Sequence, residues 1–184
     1  MKRTARVLAA ITICIAISAC SRAHSSGPDS ARVRAKLDAI PLDQRVNLTN
    51  DEWKAILSPE QFYVMRRAGT ERPSASGNEL EHRTGIYVCS ACGNPLYSAD
   101  AKFNSGTGWP SFWQPTRKEA VHESSTWSAI FGTEISCARC GSHLGHVFHD
   151  GPPPTGLRYC MNAVALTYRE ASLQAVDPNA RLGK

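Results

Sequence analysis

The sequence predicts a mainly β fold, a small antiparallel β-sheet domain with a short helical N-terminal extension and a zinc site formed by four cysteines. From Arg83 onward, short β-branched and aromatic runs alternate with Gly, Pro and Ser, which is typical of strands joined by turns. No long amphipathic helix separates these runs, so a parallel βαβ architecture is not expected. Two distant C-x-x-C pairs can hold such a domain together through one metal ion.

Length and charge limit the class of protein. The 184 residues are enough for one domain with a hydrophobic core and one targeting segment. The formal net charge is +5, but Lys2, Arg3 and Arg6 contribute three of these charges and leave +2 for the remainder. So small a charge does not provide the concentrated basic face that binds nucleic acid, and we expect no nucleic-acid partner.

Residues 1–19 are expected to form the signal peptide of a bacterial lipoprotein. The basic stretch Met1–Arg6 precedes the apolar run Val7–Ile17, which is too short to span a bilayer comfortably. The run ends in Ile-Ser-Ala-Cys20, which resembles the lipobox before which such proteins are cleaved. We therefore expect lipidation of Cys20 and anchoring in a bacterial cell envelope, on the periplasmic side. An ordinary signal peptide cut after Ala19 and an uncleaved anchor are the alternatives.

Polar residues with Ser, Gly, Pro and mixed charges follow this segment. We expect residues 20–40 to be a flexible tether, residues 41–170 to be the folded domain, and residues 171–184 to be a loosely ordered tail. Position 21, directly after Cys20, holds serine and not an acidic residue. This favours anchoring in the outer membrane over anchoring in the inner one.

Two short helices are expected at the start of the domain. Thr49-Asn-Asp-Glu52 has the pattern of a capping box and predicts a helix over Asp51–Leu57. A second box begins at Ser58, with proline at the first helical position and glutamine completing it, and predicts a helix that ends before Gly69. The apolar residues expected to pack these helices on the domain are Trp53, Ile56, Phe62, Val64 and Met65.

Seven strands are expected beyond the helices. Each is a short β-branched or aromatic run bounded by turn residues. The predicted strands are Gly85–Cys89, Glu119–Glu123, Thr126–Phe131, Thr133–Ser136, Gly145–Phe148, Leu157–Met161 and Val164–Tyr168.

The two C-x-x-C pairs have the same form. Each pair, Cys89/Cys92 and Cys137/Cys140, is followed by glycine, which permits a left-handed turn, and its two sulfurs can reach one metal. Four thiolates make a closed tetrahedral site, so we expect a structural Zn²⁺ and no organic cofactor. A redox pair and two disulfides are the alternatives, but a redox C-x-x-C usually begins a helix in a thioredoxin-like context, which is absent.

Cys160 stands outside these pairs. On a strand, Arg158, Cys160 and Asn162 point to the same side. A guanidinium beside a thiol favours the thiolate, and an amide can orient the thiolate or a ligand. By itself this triplet leaves open a buried, inert cysteine.

Two more clusters suit a reactive cysteine. Residues 142–151 contain three histidines, which can serve as general acids, although incidental histidines in a solvated turn are the alternative. Residues 103–113 contain Gly-x-Gly before Trp109 and a proline, a rigid turn that presents an indole. An aromatic wall suits a methyl or thioether group, and core packing is the alternative.

Taken together, these segments resemble the B-type methionine-R-sulfoxide reductases over residues 53–168. The matching segments, in chain order and with both C-x-x-C pairs, are QFYV (Gln61–Val64), GWPSF (Gly108–Phe112), HLGHVF (His143–Phe148), DGP (Asp150–Pro152) and RYCMN (Arg158–Asn162). Such enzymes repair oxidised methionine. The resemblance implies a mainly antiparallel β fold, in agreement with the strand pattern.

The resemblance also implies roles for individual positions. They are Cys160 as the catalytic cysteine, Trp109 and Phe148 as walls of the pocket for the sulfoxide methyl group, His143 and His146 near the sulfoxide oxygen, Asp150, Arg158 and Asn162 as the supporting polar shell, and Cys89, Cys92, Cys137 and Cys140 as the zinc ligands found in many members. In this chemistry the Cys160 thiolate attacks the sulfoxide sulfur, a histidine protonates the oxygen, and the cysteine becomes a sulfenic acid. The expected substrates are oxidised proteins that carry methionine sulfoxide.

The chain departs from the family pattern at three positions. Many members carry a resolving cysteine where this chain has Thr107, which cannot form a disulfide. We therefore expect a one-cysteine cycle, with a thioredoxin-like dithiol protein or a small thiol as reductant. His149 replaces the usual proline, and Ala163 replaces a common serine or glycine.

Three other functions remain as alternatives. A zinc-knuckle interaction module would leave Cys160 and the histidines without a role, and a thiol peroxidase would use the same cysteine on peroxide. A zinc hydrolase needs an open metal position, which four cysteine ligands do not leave.

Overall fold

The structure is a computed structural model that describes residues 27–73, 84–128, 130 and 132–170. The expected signal peptide, Cys20, the first part of the tether and the tail over residues 171–184 lie outside the described residues. Within the described ranges, no helix is both long enough and apolar enough to cross a membrane.

Within the part of the chain that the structure describes, three helices precede the sheets: α1 (Ser30–Asp38), α2 (Asn50–Ile56) and α3 (Pro59–Arg67). The two predicted helices are confirmed as α2 and α3, and both capping boxes form. The Thr49 hydroxyl accepts a hydrogen bond from the Glu52 amide at 3.2 Å, while the Glu52 carboxylate accepts one from the Thr49 amide at 2.7 Å. Each box satisfies two backbone donors that the first helical turn leaves unpaired, which places the helix start.

Helix α1 corrects the expectation of a flexible tether over residues 20–40, which is wrong for residues 30–38. The Asp29 side chain accepts a hydrogen bond from the Ala31 amide and caps the helix. Val33 and Leu37 are four residues apart, so they share one face, and both are buried. The remaining side chains of α1 are not buried, and the helix is strongly polar. Composition and local pattern therefore did not reveal that this segment is a helix.

Nine antiparallel strands in the described residues confirm the predicted fold class. They are β1 (Gly85–Cys89), β2 (Pro95–Ser98), β3 (Lys102–Phe103), β4 (Ser111–Phe112), β5 (Val121–Ser128), β6 (Gly132–Cys137), β7 (His143–Phe148), β8 (Arg158–Met161) and β9 (Leu166–Glu170). One sheet has the order β2-β1-β9, and the other has the order β3-β4-β8-β7-β6-β5. Strand β8 therefore lies inside the larger sheet, between β4 and β7.

The observed strands differ from the predicted ones in three respects. Parts of the two runs expected at 119–123 and 126–131 lie in one strand, β5, whose pairing with β6 shifts register between Glu123 and Trp127. Strands β2, β3 and β4 were not predicted, because two to four residues are too few to show an alternating pattern. The last predicted strand begins late, after a 3₁₀ turn over Ala163–Ala165.

Aromatic side chains join the two sheets. Tyr97 of β2 stacks on Phe112 of β4, with ring centroids 4.4 Å apart, and the Tyr97 hydroxyl lies 3.2 Å from the Met161 sulfur of β8. All three residues are fully buried. Of the apolar residues predicted for α2 and α3, Phe62 is half-buried and the other four are buried. This core fixes β8 relative to the smaller sheet.

Candidate active site

Cys160 is half-buried on β8 and lines a cavity of about 370 Å³. Its Cα pairs with Ser111 of β4 on one side and with His146 of β7 on the other. Trp109, Phe148 and Asn162, all expected at the site from sequence, line the same cavity. The structure therefore brings these predicted residues together around the thiol.

His146 lies directly opposite Cys160 across the β7–β8 pair. Directly opposite residues of an antiparallel pair project to the same face, with Cβ atoms about 5 Å apart. His146 lines the cavity with the cysteine. Burial, and then the neighbouring His143, lower the pKa of His146 below its ordinary value, so the neutral imidazole is favoured near neutral pH.

His143 occupies a different place. It is almost completely buried, and its Nδ1 lies 2.8 Å from a Glu134 carboxylate oxygen. Its ring centroid is 5.3 Å from that of His146, and its Nε2 is buried with no hydrogen-bond partner among the described residues. His143 does not appear in the cavity lining, so it stands behind His146 and not beside Cys160.

Arg158 links the polar shell to the aromatic wall. Its Nε donates a hydrogen bond of 2.8 Å to Oδ1 of Asp150, and its Nη2 donates one of 2.8 Å to Oδ2 of the same carboxylate. The guanidinium also lies 4.3 Å from the centroid of the Phe148 ring. Hydrogen bonds with Arg158 lower the pKa of Asp150. The pKa of Arg158 is raised, mainly by Asp150 and further by the nearby Cys160, so a lasting positive charge lies close to the thiol.

Asn162 serves the backbone around the cavity. Its Nδ2 donates to the Leu144 carbonyl at 3.1 Å, and its Oδ1 accepts from the Glu71 amide at 3.0 Å. The side chain is buried. Glu71 is thus a neighbour of the site that sequence reasoning missed, because a single acidic residue in a loop far along the chain carries no local pattern.

Thr107 lies beside the nucleophile candidate. Its hydroxyl oxygen is 3.9 Å from the Cys160 sulfur. It also lies 2.9 Å from the Ser105 hydroxyl, which in turn is 2.8 Å from that of Ser111. Position 107 is therefore in contact with Cys160, and it holds a hydroxyl.

The four remaining described cysteines form a buried cluster. Their sulfur atoms lie within 4.8 Å of one another, with 3.8 Å between Cys89 and Cys140 and 3.7 Å between Cys92 and Cys137. Disulfide sulfurs would be about 2.05 Å apart. Four sulfurs about 2.3 Å from a central zinc ion make a tetrahedron with edges of about 3.8 Å. The geometry fits zinc and excludes disulfides.

Electrostatics at the cluster also favour a cation. Contacts with neighbouring sulfurs, above all Cys140, lower the pKa of Cys137. The pKa values of Cys89 and Cys140 are raised, chiefly by the contact with Cys137. One thiolate in the cluster disfavours the next, so four thiolates are stable together only beside a positive ion.

Two comparisons relate this chain to known proteins. The model of the SelR domain matches residues 57–170. A Pseudomonas putida protein named "Peptide methionine sulfoxide reductase MsrB" is 50% identical over 127 residues, which cover 68% of this chain and 97% of that protein. Proteins of the same name from Thiobacillus denitrificans and Methanosarcina barkeri are 52% and 48% identical, over 65% and 67% of this chain and 92% and 88% of their own lengths.

Proposed function

Because this chain belongs to the SelR-domain family of peptide methionine sulfoxide reductases, we propose that it reduces the R epimer of methionine sulfoxide in oxidised proteins, with Cys160 as nucleophile. The observation that carries the proposal is the pairing of Cys160 with His146 in one cavity. Trp109 and Phe148 line that cavity and suit the apolar methyl group of the substrate.

The reaction moves one oxygen atom and two electrons. The Cys160 thiolate attacks the sulfoxide sulfur, and the oxygen accepts a proton as its bond to that sulfur weakens. The protonated oxygen then passes from the substrate sulfur to the Cys160 sulfur. The bond between the two sulfurs and the substrate S–O bond break as the Cys160 S–O bond forms. Methionine leaves reduced by two electrons, and Cys160, oxidised by two electrons, carries the hydroxyl as a sulfenic acid. The positive charge of Arg158 stabilises the attacking thiolate, while Asp150 holds the guanidinium in place through two hydrogen bonds.

His146 is the better placed of the two histidines to donate the proton. It lines the cavity opposite Cys160, whereas His143 is hydrogen-bonded to Glu134 behind it. The lowered pKa of His146 makes its protonated form a stronger acid than an ordinary imidazolium. His143 then orients His146 and does not contact the substrate.

An external thiol closes the cycle. Thr107 lies where a resolving cysteine would, and its hydroxyl cannot form a disulfide with Cys160. The other cysteines of the described residues are buried in the four-sulfur cluster. The sulfenic acid is therefore attacked directly by a thioredoxin-like dithiol protein or by a small thiol.

A zinc ion at Cys89, Cys92, Cys137 and Cys140 is part of the proposal. Four thiolate ligands fill its coordination sphere, so its contribution is to stabilise the fold. We assign it no part in the chemistry at Cys160.

The decisive experiment uses the chain from Ser21 onward with dithiothreitol and each epimer of dabsyl-methionine sulfoxide. We expect turnover of the R epimer alone, abolished by Cys160→Ser and retained by Thr107→Ala. Folded, zinc-loaded protein that turns over neither epimer would favour the non-catalytic zinc-knuckle module. Peroxide consumption faster than sulfoxide reduction would favour a thiol peroxidase.

We propose further that residues 1–19 are removed and that a lipid on Cys20 holds the folded domain at the periplasmic side of the envelope, with the outer membrane favoured over the inner one. The lipobox-like sequence before Cys20 supports this proposal. Mass spectrometry of protein extracted from membranes is expected to show an acylated N-terminal cysteine. A mature N-terminus without lipid would rule the anchor out.

A further inference from the structure

Glu71, between α3 and β1, is a buried acidic residue that the reaction scheme above does not use. Its carboxylate accepts hydrogen bonds from two consecutive backbone amides, Ala163 at 2.6 Å and Val164 at 3.0 Å. These amides begin the 3₁₀ turn that follows the Cys160 strand. The side chain of Asn162, the N-cap residue of that turn, makes no capping hydrogen bond. The carboxylate of Glu71, which is distant in sequence, caps the turn instead.

The backbone of Glu71 contacts the cavity wall on its other side. Its carbonyl accepts a hydrogen bond of 3.3 Å from the indole Nε1 of Trp109, and its amide donates to the Asn162 side chain at 3.0 Å. Its neighbour Thr70 lines the cavity. One residue therefore ties the aromatic wall to the turn that follows the nucleophile.

From these contacts we propose that Glu71 is a positioning residue that fixes the indole of Trp109 against the substrate alkyl group and thereby sets the selectivity of the cavity for a methyl sulfoxide. The inference rests on the proposed function. An indole can turn about its side-chain bonds unless its N–H is held, and the carbonyl of Glu71 holds it. The carboxylate anchors that carbonyl, because its two charged hydrogen bonds attach the segment to the end of β8.

Glu71→Gln tests this anchoring. Glutamine keeps one acceptor oxygen but turns an amide group toward a backbone N–H, so one of the two anchoring bonds is lost. The wall contacts the alkyl group before and during the reaction, so the loss should appear as weaker binding. We expect the KM for the R-sulfoxide to rise roughly five- to tenfold, the effect of about one lost hydrogen bond, while kcat stays within about twofold.

Selectivity distinguishes positioning from general stability. With N-dabsyl ethionine sulfoxide as competitor, Glu71→Gln should reduce the ratio of kcat/KM for the methyl sulfoxide to that for the ethyl sulfoxide. The reason is that the indole of Trp109 is no longer held at a fixed distance from the substrate alkyl group. Two controls accompany it. Glu60→Gln changes an exposed glutamate on α3, and Val33→Ala weakens the buried face of α1 away from the cavity. Neither should alter KM or the methyl preference, although Val33→Ala should lower the melting temperature.

Trp109→Phe provides an independent second variant, since it removes the indole N–H together with part of the ring system and keeps an aromatic ring at the wall. It should raise KM in the same way, and combined with Glu71→Gln it should add little. An unchanged KM and methyl preference in folded Glu71→Gln would overturn the inference, as would the same shifts in Val33→Ala. If Glu71→Gln fails to fold, an unchanged KM and an unchanged preference for the methyl sulfoxide in Trp109→Phe would be enough to overturn the inference. Absence of turnover by the wild-type protein would instead refute the proposed function.

Discussion

At the scale of single residues, the contact between Thr107 and Cys160 decides how the sulfenic acid is reduced. The hydroxyl lies 3.9 Å from the sulfur, and a cysteine at that position needs only a small movement to reach disulfide distance. We expect Thr107→Cys to form an intramolecular disulfide after one turnover with the R-sulfoxide. Intact-mass measurement and thiol titration under non-reducing conditions check this, because the disulfide form has two hydrogen atoms and two free thiols fewer than the reduced variant.

The wild-type protein is the matched control for that variant. After the same single turnover it should carry one oxidised cysteine and no internal disulfide. An internal disulfide of Cys160 in oxidised wild-type protein would contradict the one-cysteine cycle.

The titration of His146 predicts a dependence of stability on pH. Burial lowers the pKa of His146, so the folded state takes up its proton only below the pH at which the unfolded chain does, near 6.5. Between these two values the unfolded state binds more protons, so the stability contributed by the neutral imidazole is complete above pH 6.5 and is lost as the pH falls. Replacing His146 removes this contribution.

Urea unfolding of the wild type and of His146→Gln, each at pH 7.5 and at pH 5.5, measures the contribution of His146 to the pH dependence of stability. We expect the wild type to lose more free energy of unfolding between these pH values than the variant, since other groups titrate in both proteins alike. Equal losses would show that His146 titrates normally. The sequence revealed the histidine but not this shift, because the shift depends on burial and on His143 nearby.

At the scale of secondary-structure elements, the close approach of β7 to β8 depends on Gly145. A Cβ at this position would meet the Cys160 carbonyl oxygen and come within 2.9 Å of the Met161 Cα. We expect Gly145→Ala to push the strands apart, to lower the free energy of unfolding by about 1–3 kcal/mol, and to reduce kcat by separating His146 from Cys160. Chemical denaturation and steady-state kinetics measure the two effects.

Gly27→Ala is the matched control, because a Cβ there has no heavy atom within 4 Å. It should change neither stability nor kcat. Gly145→Ala with wild-type kinetics would show that the spacing of β7 and β8 does not govern the chemistry.

The elements also show which local patterns carry structural information. Helices α2 and α3 were predictable because a capping box marks the start of a helix with a pattern only four residues long. Strands β3 and β4 were not, because each has only two residues and is defined by its partners. Helix α1 was missed because its stability comes from burial of Val33 and Leu37 and from an ion pair of Lys36 with Glu52 of α2, which are tertiary contacts.

At the scale of the whole molecule, the four-cysteine cluster connects the two sheets. Cys89 ends β1 in the smaller sheet, and Cys137 ends β6 in the larger one. We expect one zinc ion per chain, and its removal by a chelator under reducing conditions should lower the melting temperature and activity together, since the sheets then lose one of the connections between them. Elemental analysis, circular dichroism and the sulfoxide assay follow the three changes.

Cys137→Ser should lower the zinc content and the melting temperature in the same way, whereas Cys160→Ser should leave both unchanged. A zinc-free, reduced protein with an unchanged melting temperature would refute the structural role of the metal.

By itself the sequence determined the antiparallel fold class, the two capped helices, the four clustered cysteines and the family, since each follows from short local patterns or from the order of such patterns along the chain. Tertiary structure alone decided that His146 and not His143 lies opposite Cys160, because the pairing of β7 with β8 sets which residue lies across from the thiol. It alone placed Glu71 between Trp109 and the turn after β8. The physical reason is that strand register and the burial of isolated polar residues are settled by partners far along the chain, and a local pattern does not contain those partners.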